Sequence, residues 1–158
     1  MKSATGTPKL LTDTAHFSTI YTGCFNDAGA LKRILDGLRP HCTGCLICLF
    51  GGRDGETRES RRTTGEMAGR CADLVILTGD PCCKEHPDTV NRDFADGLSA
   101  CGGRYELIAD RIDAIHSLID HCEREDTAIL LRRSPADDPG IVCFLSDEQI
   151  AAQYLETK

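Results

Sequence analysis

Short apolar runs alternate along this chain with stretches whose apolar residues recur every three or four positions, the two periods of strands and of helices that bury one face. The runs at 9–12, 45–50, 74–77, 105–108, 128–131 and 141–145 read as strands. Between them, Leu31, Ile34, Leu35 and Leu38 form one helical stripe over 27–38, which Arg39-Pro40 ends. Thr63 and Glu66 have capping-box spacing and predict a helix over 63–72. Val90, Phe94 and Leu98 predict another over 87–100, closed by Gly102-Gly103. Ile112, Ile115, Leu118, Ile119 and Cys122 predict a fourth over 110–122, with His116 and His121 off the stripe and solvated. Ser146 and Gln149 cap a short last helix that buries Ile150 and Tyr154.

Strands alternating with helices of this length imply right-handed crossovers and a sheet covered on both faces. The expected fold is therefore α/β, a three-layer αβα Rossmann-like domain with a mostly parallel sheet of about six strands. The connection over 132–140 carries Pro135 and Pro139 and is too short for a crossover helix, so the final strand is expected to run antiparallel. One domain over residues 1–158 accounts for every element.

Composition narrows the function classes. The 158 residues carry 25 acidic against 18 basic side chains, a formal net charge of −7, which disfavours a polyphosphate grip on nucleic acid. The first eight residues lack an apolar signal core and no apolar run reaches membrane-spanning length, so a cytoplasmic chain with no membrane partner is expected. Ten cysteines without an export signal read as reduced thiols. Cys42, Cys45 and Cys48 have a C-x-x-C-x-x-C spacing that raises the question of a metal. On a strand, residues three apart point to opposite faces, so Cys45 and Cys48 could not share one ion and no metal is expected.

Three segments could carry chemistry. The loop 51–62 holds Arg53, Arg58, Arg61 and Arg62 against Asp54, Glu56 and Glu59, beside glycines that let a ligand approach the backbone. Arginine forks suit carboxylates and phosphates. A loop whose charges pair with one another is an equally open reading. Asp13-Thr14-Ala15-His16 ends the first strand, and Asp80 to Glu85 follows the third. Open α/β sheets gather ligands at the carboxyl ends of their strands, where all three segments would lie. No G-x-x-x-x-G-K-[ST] phosphate loop occurs in the sequence.

Together these segments resemble the carboxyl-terminal domain of the Mur ligases, ATP-dependent enzymes that add amino acids to the peptide of peptidoglycan precursors. Asp13-Thr14-Ala15-His16 resembles the family's D-Y-A-H, and Leu38-Arg39-Pro40 its L-R-P. The stretch 46–54 is similar to the strand and G-G-D-R-D loop, while Arg61 and Gly65-Glu66 match K-R-P-x-x-G-E. Residues 72–78 with Asp80 resemble the strand leading to D-N-P-R, and Asp110-Arg111 with Ala114-Ile115 resembles D-R-x-x-A-I. The resemblance implies a lid that closes over a central domain supplying the phosphate loop, ATP and Mg, in cis or in trans. It implies that Asp13 and His16 face the nucleotide, and that Arg53, Arg61, Asp80, Cys83 and Glu85 bind the amino-acid substrate. It implies no catalytic residue, cofactor or enzymatic activity for this chain alone.

The chain departs from that pattern in places. Cys83 stands where D-N-P-R has the arginine that reads a diaminopimelate carboxylate. Arg132-Arg133-Ser134-Pro135 replaces a G-K-G-H-E-like loop, and Gly52 is followed directly by Arg53 without the first Asp of G-G-D-R-D. Residues 17–26 have no counterpart between D-x-A-H and its helix. The alternative expectation is a divergent stand-alone module that binds a nucleotide or an amino acid without catalysis.

Overall fold

The computed structural model describes residues 8–12, 19–81, 83–133 and 146–157. Six strands form one sheet, β1 (Lys9–Thr12), β2 (Thr19–Cys24), β3 (Leu46–Phe50), β4 (Leu74–Leu77), β5 (Tyr105–Leu107) and β6 (Thr127–Arg132), in the order β1-β2-β6-β3-β4-β5. Every neighbouring pair is parallel except β1 with β2. Among the described residues the antiparallel strand is thus the first in the chain, at the sheet edge. The strand expected at 141–145 lies outside the described residues. β2 itself was not anticipated, because Thr19, Tyr21 and Thr22 break its apolar run and only Ile20 is buried.

The pleat sorts the core into two layers. Leu46, Cys48 and Phe50 of β3, Val75 and Leu77 of β4, and Ile129 and Leu131 of β6 face α1 (Ala28–Leu38), α2 (Arg58–Cys71) and α3 (Pro87–Ala100). Ile47, Leu49, Leu74, Ile76, Ala128 and Leu130 face α4 (Arg111–His121) and α5 (Asp147–Leu155). Cys48 is enclosed in the first layer while Cys45 is exposed, so the two thiols diverge as the strand geometry requires. Ile112, expected on the buried stripe of α4, is 43% exposed. His116 is half-buried and stacks on Tyr154 at 4.0 Å, so of the two histidines expected to be solvated only His121 is exposed.

Caps fix the helix starts. Asp27, Thr57, Asp110 and Ser146 each accept from a backbone N–H three residues on, and Ser146 with Gln149 completes a capping box. α2 begins at Arg58, earlier than the Thr63 cap predicted, because Thr57 takes the Ser60 N–H and Arg61 finds buried partners that let the arginine-rich segment join the helix.

α2 and α3 approach through a pair of glycines. A Cβ on Gly65 would lie 2.0 Å from the Phe94 carbonyl oxygen, and one on Gly97 would lie 2.0 Å from that of Arg62. An alanine in a helix interior normally gains about 1 kcal/mol over glycine. Here backbone blocks the methyl, so Gly65→Ala is expected to destabilise by about 1–3 kcal/mol, as overpacking does. Urea denaturation of the two proteins reads the sign directly.

Candidate functional site

All parallel strands end on the same edge, which brings together residues 51–57 after β3, 78–81 and 83–86 after β4, 108–110 after β5 and Arg133 after β6. Within this edge Arg61 is the tie between the first two loops. Its guanidinium donates to Glu85 Oε1 at 2.9 Å, Asp93 Oδ2 at 3.3 Å and the Arg53 carbonyl at 3.1 Å. The side chain is 4% exposed. Its Glu85 and Asp93 partners outweigh the cost of burial and raise its pKa. Arg61 therefore acts as an internal strut between the two loops.

Asp80 is also internal. Its carboxylate is fully buried, accepts from the Arg133 N–H at 2.9 Å and lies 3.8 Å from Arg132 Nε. It thus ties the end of β4 to the segment that follows β6. Arg53 is half-buried on the rim and donates to the Asn26 carbonyl at 3.1 Å. Cys83 lies 3.5 Å from Asp54, and Glu85 is exposed apart from its bond to Arg61. Asp13 and His16 lie outside the described residues. Of the seven residues expected at the site, five are therefore gathered on one edge, with Arg53, Cys83 and Glu85 reaching its surface.

Asp54 holds the second loop from the other side. Its carboxylate accepts from the backbone N–H groups of Lys84 at 3.0 Å and Glu85 at 3.2 Å. These donors, the Lys84 N–H foremost, hold its pKa below the usual carboxylate range. Asp73, at the opposite end of the sheet, is likewise lowered: burial opposes this, but the Leu46 N–H at 2.8 Å and Arg39 outweigh it. Groups with a depressed folded pKa stabilise the fold above their unfolded pKa, and that contribution is lost as pH falls through the folded value. The urea midpoint is therefore expected to drop as pH is lowered from about 5 to about 3, and Asp54→Asn should flatten the slope.

Cys83 behaves oppositely. Burial, with Asp54 and Glu85 nearby, pushes its thiol up to about 11, so it stays protonated and weakly nucleophilic at neutral pH. Asp54, Cys83 and Glu85 are also the one group of potential metal ligands that converge among the described residues. A thiol in the set and Arg61 at 2.9 Å from Glu85 do not suit the hard all-oxygen sphere of Mg.

Four residues at this edge were not singled out from sequence as site groups. Glu56, 6% exposed, takes the fork of the fully buried Arg133, whose Nη1 also donates to the Gly51 carbonyl at 3.2 Å. Arg111 donates to both oxygens of Asp147 at 2.8 and 2.6 Å, to the Gly79 carbonyl at 2.8 Å and to the Leu131 carbonyl at 2.9 Å. One guanidinium thus joins the ends of β4 and β6 to the starts of α4 and α5. Among these, Arg111 lay in a matched motif and Arg133 in a segment noted for departing from one; nothing in spacing distinguishes Glu56 from the other acidic residues of its loop.

The family profile described as "Mur ligase, glutamate ligase domain" matches residues 26–131. The chain belongs to the Mur ligase family, in its carboxyl-terminal domain. A UDP-N-acetylmuramoyl-L-alanyl-D-glutamate–2,6-diaminopimelate ligase of Mesorhizobium japonicum is 34% identical over 160 residues, which take in 99% of this chain and 32% of that protein. The solved structure of a ligase of the same name superposes with a TM-score of 0.81 at 21% identity, covering 99% of this chain and 32% of the other. A Mycobacterium tuberculosis folylpolyglutamate synthase complexed with ADP and AMPPCP shares the fold, with a TM-score of 0.55 at 13% identity over 94% of this chain and 31% of that one. This Mur ligase chain spans about a third of the length of these full proteins.

Proposed function

We propose that this Mur ligase domain is the amino-acid-binding lid of an ATP-dependent amide-bond ligase of peptidoglycan precursor synthesis, working in the cytoplasm with a central ATP-binding domain joined in cis or supplied in trans. The supporting observation is that Arg53, Cys83 and Glu85 are presented together on one sheet edge, over struts that are themselves buried. Such a surface can orient a small zwitterion without rearranging, because Arg61 and Asp80 already fix the two loops. Arg53 would hold a carboxylate of the incoming amino acid, and Glu85 lies where it would attract its ammonium group. Asp13 and His16 would face the nucleotide, with the phosphate loop and the Mg ligands belonging to the central domain. Closure of the lid would exclude water from the activated acyl group.

A second reading has its own support. The arginine of D-N-P-R is replaced by Cys83, whose thiol faces Asp54, so the edge offers one rim cation fewer than that motif would supply. A module that binds an amino acid or a nucleotide without catalysis fits this loss. Recovery of the polypeptide from its native cell separates the two. Intact mass well above 17.2 kDa, or co-purification with an ATP-binding chain, is expected for a lid. A lone 17.2 kDa species that captures no such chain would favour the binding module.

A further inference from the structure

At the carboxyl ends of the neighbouring strands β3 and β6 the covering helices change face, because the chain leaves β3 for α2 on one side while α5, the next described element after β6, packs on the other. Open α/β sheets hold ligands at such switch points. Here a side chain of the protein fills the place. Glu56 stands among exposed neighbours, Asp54, Gly55 and Thr57, yet its carboxylate is turned inward and enclosed. It accepts from Nη1 of Arg133 at 3.1 Å, from Nη2 of the same residue, and from the Arg53 N–H at 3.2 Å. Arg61 Nε lies 3.9 Å away.

The cradle around this carboxylate has more donors than Glu56 uses. Nε of Arg61 and Nε of Arg133 are buried without a hydrogen-bond acceptor among the described residues. Buried cationic donors are ordinarily satisfied, so two in one cradle require an explanation. The Arg133 guanidinium carbon lies over the Phe25 ring, 4.3 Å from its centroid, a contact that helps keep the fork in place whatever it grips. Gly55 has φ +83° and open space around it, so the turn carrying Glu56 has room to lift.

We propose that Arg61 and Arg133 form a carboxylate-binding site which Glu56 occupies as an internal surrogate, and which admits a small carboxylate when the 51–57 turn lifts. The ligand is a monoanion. Asp80, Asp93 and Glu85 already oppose the nearby arginines, so a carboxylate replaces Glu56 charge for charge, whereas a phosphate dianion would add repulsion. A ligand carboxylate can reach the Nε donors that the tethered Glu56 leaves open. Glu56 competes at an effective concentration in the millimolar range, so it excludes weak carboxylates and yields to one with further contacts. This inference concerns the isolated chain and goes beyond the ligase reading, on which it does not depend.

Glu56→Ala removes the surrogate and leaves a gap the size of acetate. Thermal unfolding is compared in sodium acetate and in sodium chloride at equal ionic strength. The variant is expected to melt below the native protein in chloride and to gain about 4 °C once acetate exceeds its dissociation constant tenfold, the gain rising with the logarithm of acetate concentration. The native protein should melt alike in both salts, and Glu56→Ala with Arg133→Met should lose the acetate gain. Equal midpoints for Glu56→Ala in the two salts would overturn the proposal. If that variant does not fold in chloride, folded protein recovered in acetate is the expected result, and its absence from both salts counts equally against the site.

Discussion

Truncation of Arg111 to alanine is expected to lower the unfolding free energy by about 3–5 kcal/mol, the range for breaking a buried, hydrogen-bonded ion pair by removing one partner. The pair is shielded, with 10% of the Arg111 side chain and 6% of the Asp147 side chain exposed. Loss of the guanidinium leaves Asp147 charged and enclosed, and takes a donor from the carbonyls of Gly79 and Leu131. These groups close the ends of β4 and β6 against α4 and α5, so the damage falls on the edge that carries the site. For a domain of this size, each kcal/mol lost shifts the melting temperature by about 2–4 °C, which makes a fall of about 10 °C the expected reading. A loss under about 1 kcal/mol would place the pair with exposed ion pairs and remove its organising role.

The contrast between Arg111 and the surface pairs is a matter of solvent. Lys32 with Asp36 and Arg70 with Glu66 have helical i,i+4 spacing and can be anticipated from sequence, yet both are exposed and contribute little. Arg111 and Asp147 are 36 residues apart, and only the sheet brings them together. The same holds across the molecule. The apolar stripes of α1 and α3 and the runs of β3, β4 and β6 were legible because burial of one face imposes a period on the local sequence. β2 was illegible because its ladder with β6 is satisfied by backbone, which any residue supplies.

At the site, sequence located the segments and missed the division of labour within them. Arg53 and Arg61 read alike as loop arginines, but α2 starts at Arg58 and carries Arg61 inward against Glu85 and Asp93, while Arg53 stays on the rim. Asp80 is expected from the resemblance at the substrate, and the end of β6 encloses its carboxylate, which no local pattern announces. The decisive contacts of Glu56 and Arg133 span 77 positions, a separation that carries no local pattern.

ADP release tests most directly the proposal that this domain is a lid whose ATP machinery is in another domain. The homogeneous chain is expected to release no ADP above buffer, with or without amino acids. Joined to the remainder of the Mesorhizobium japonicum relative in place of its matching third, it should support ADP release that requires an amino-acid acceptor. In that fusion Arg53→Ala should raise the KM for the acceptor by about 10- to 100-fold, the range for losing a hydrogen bond to a charged group. ADP released by the isolated chain at a rate that the added domains leave unchanged would contradict the account.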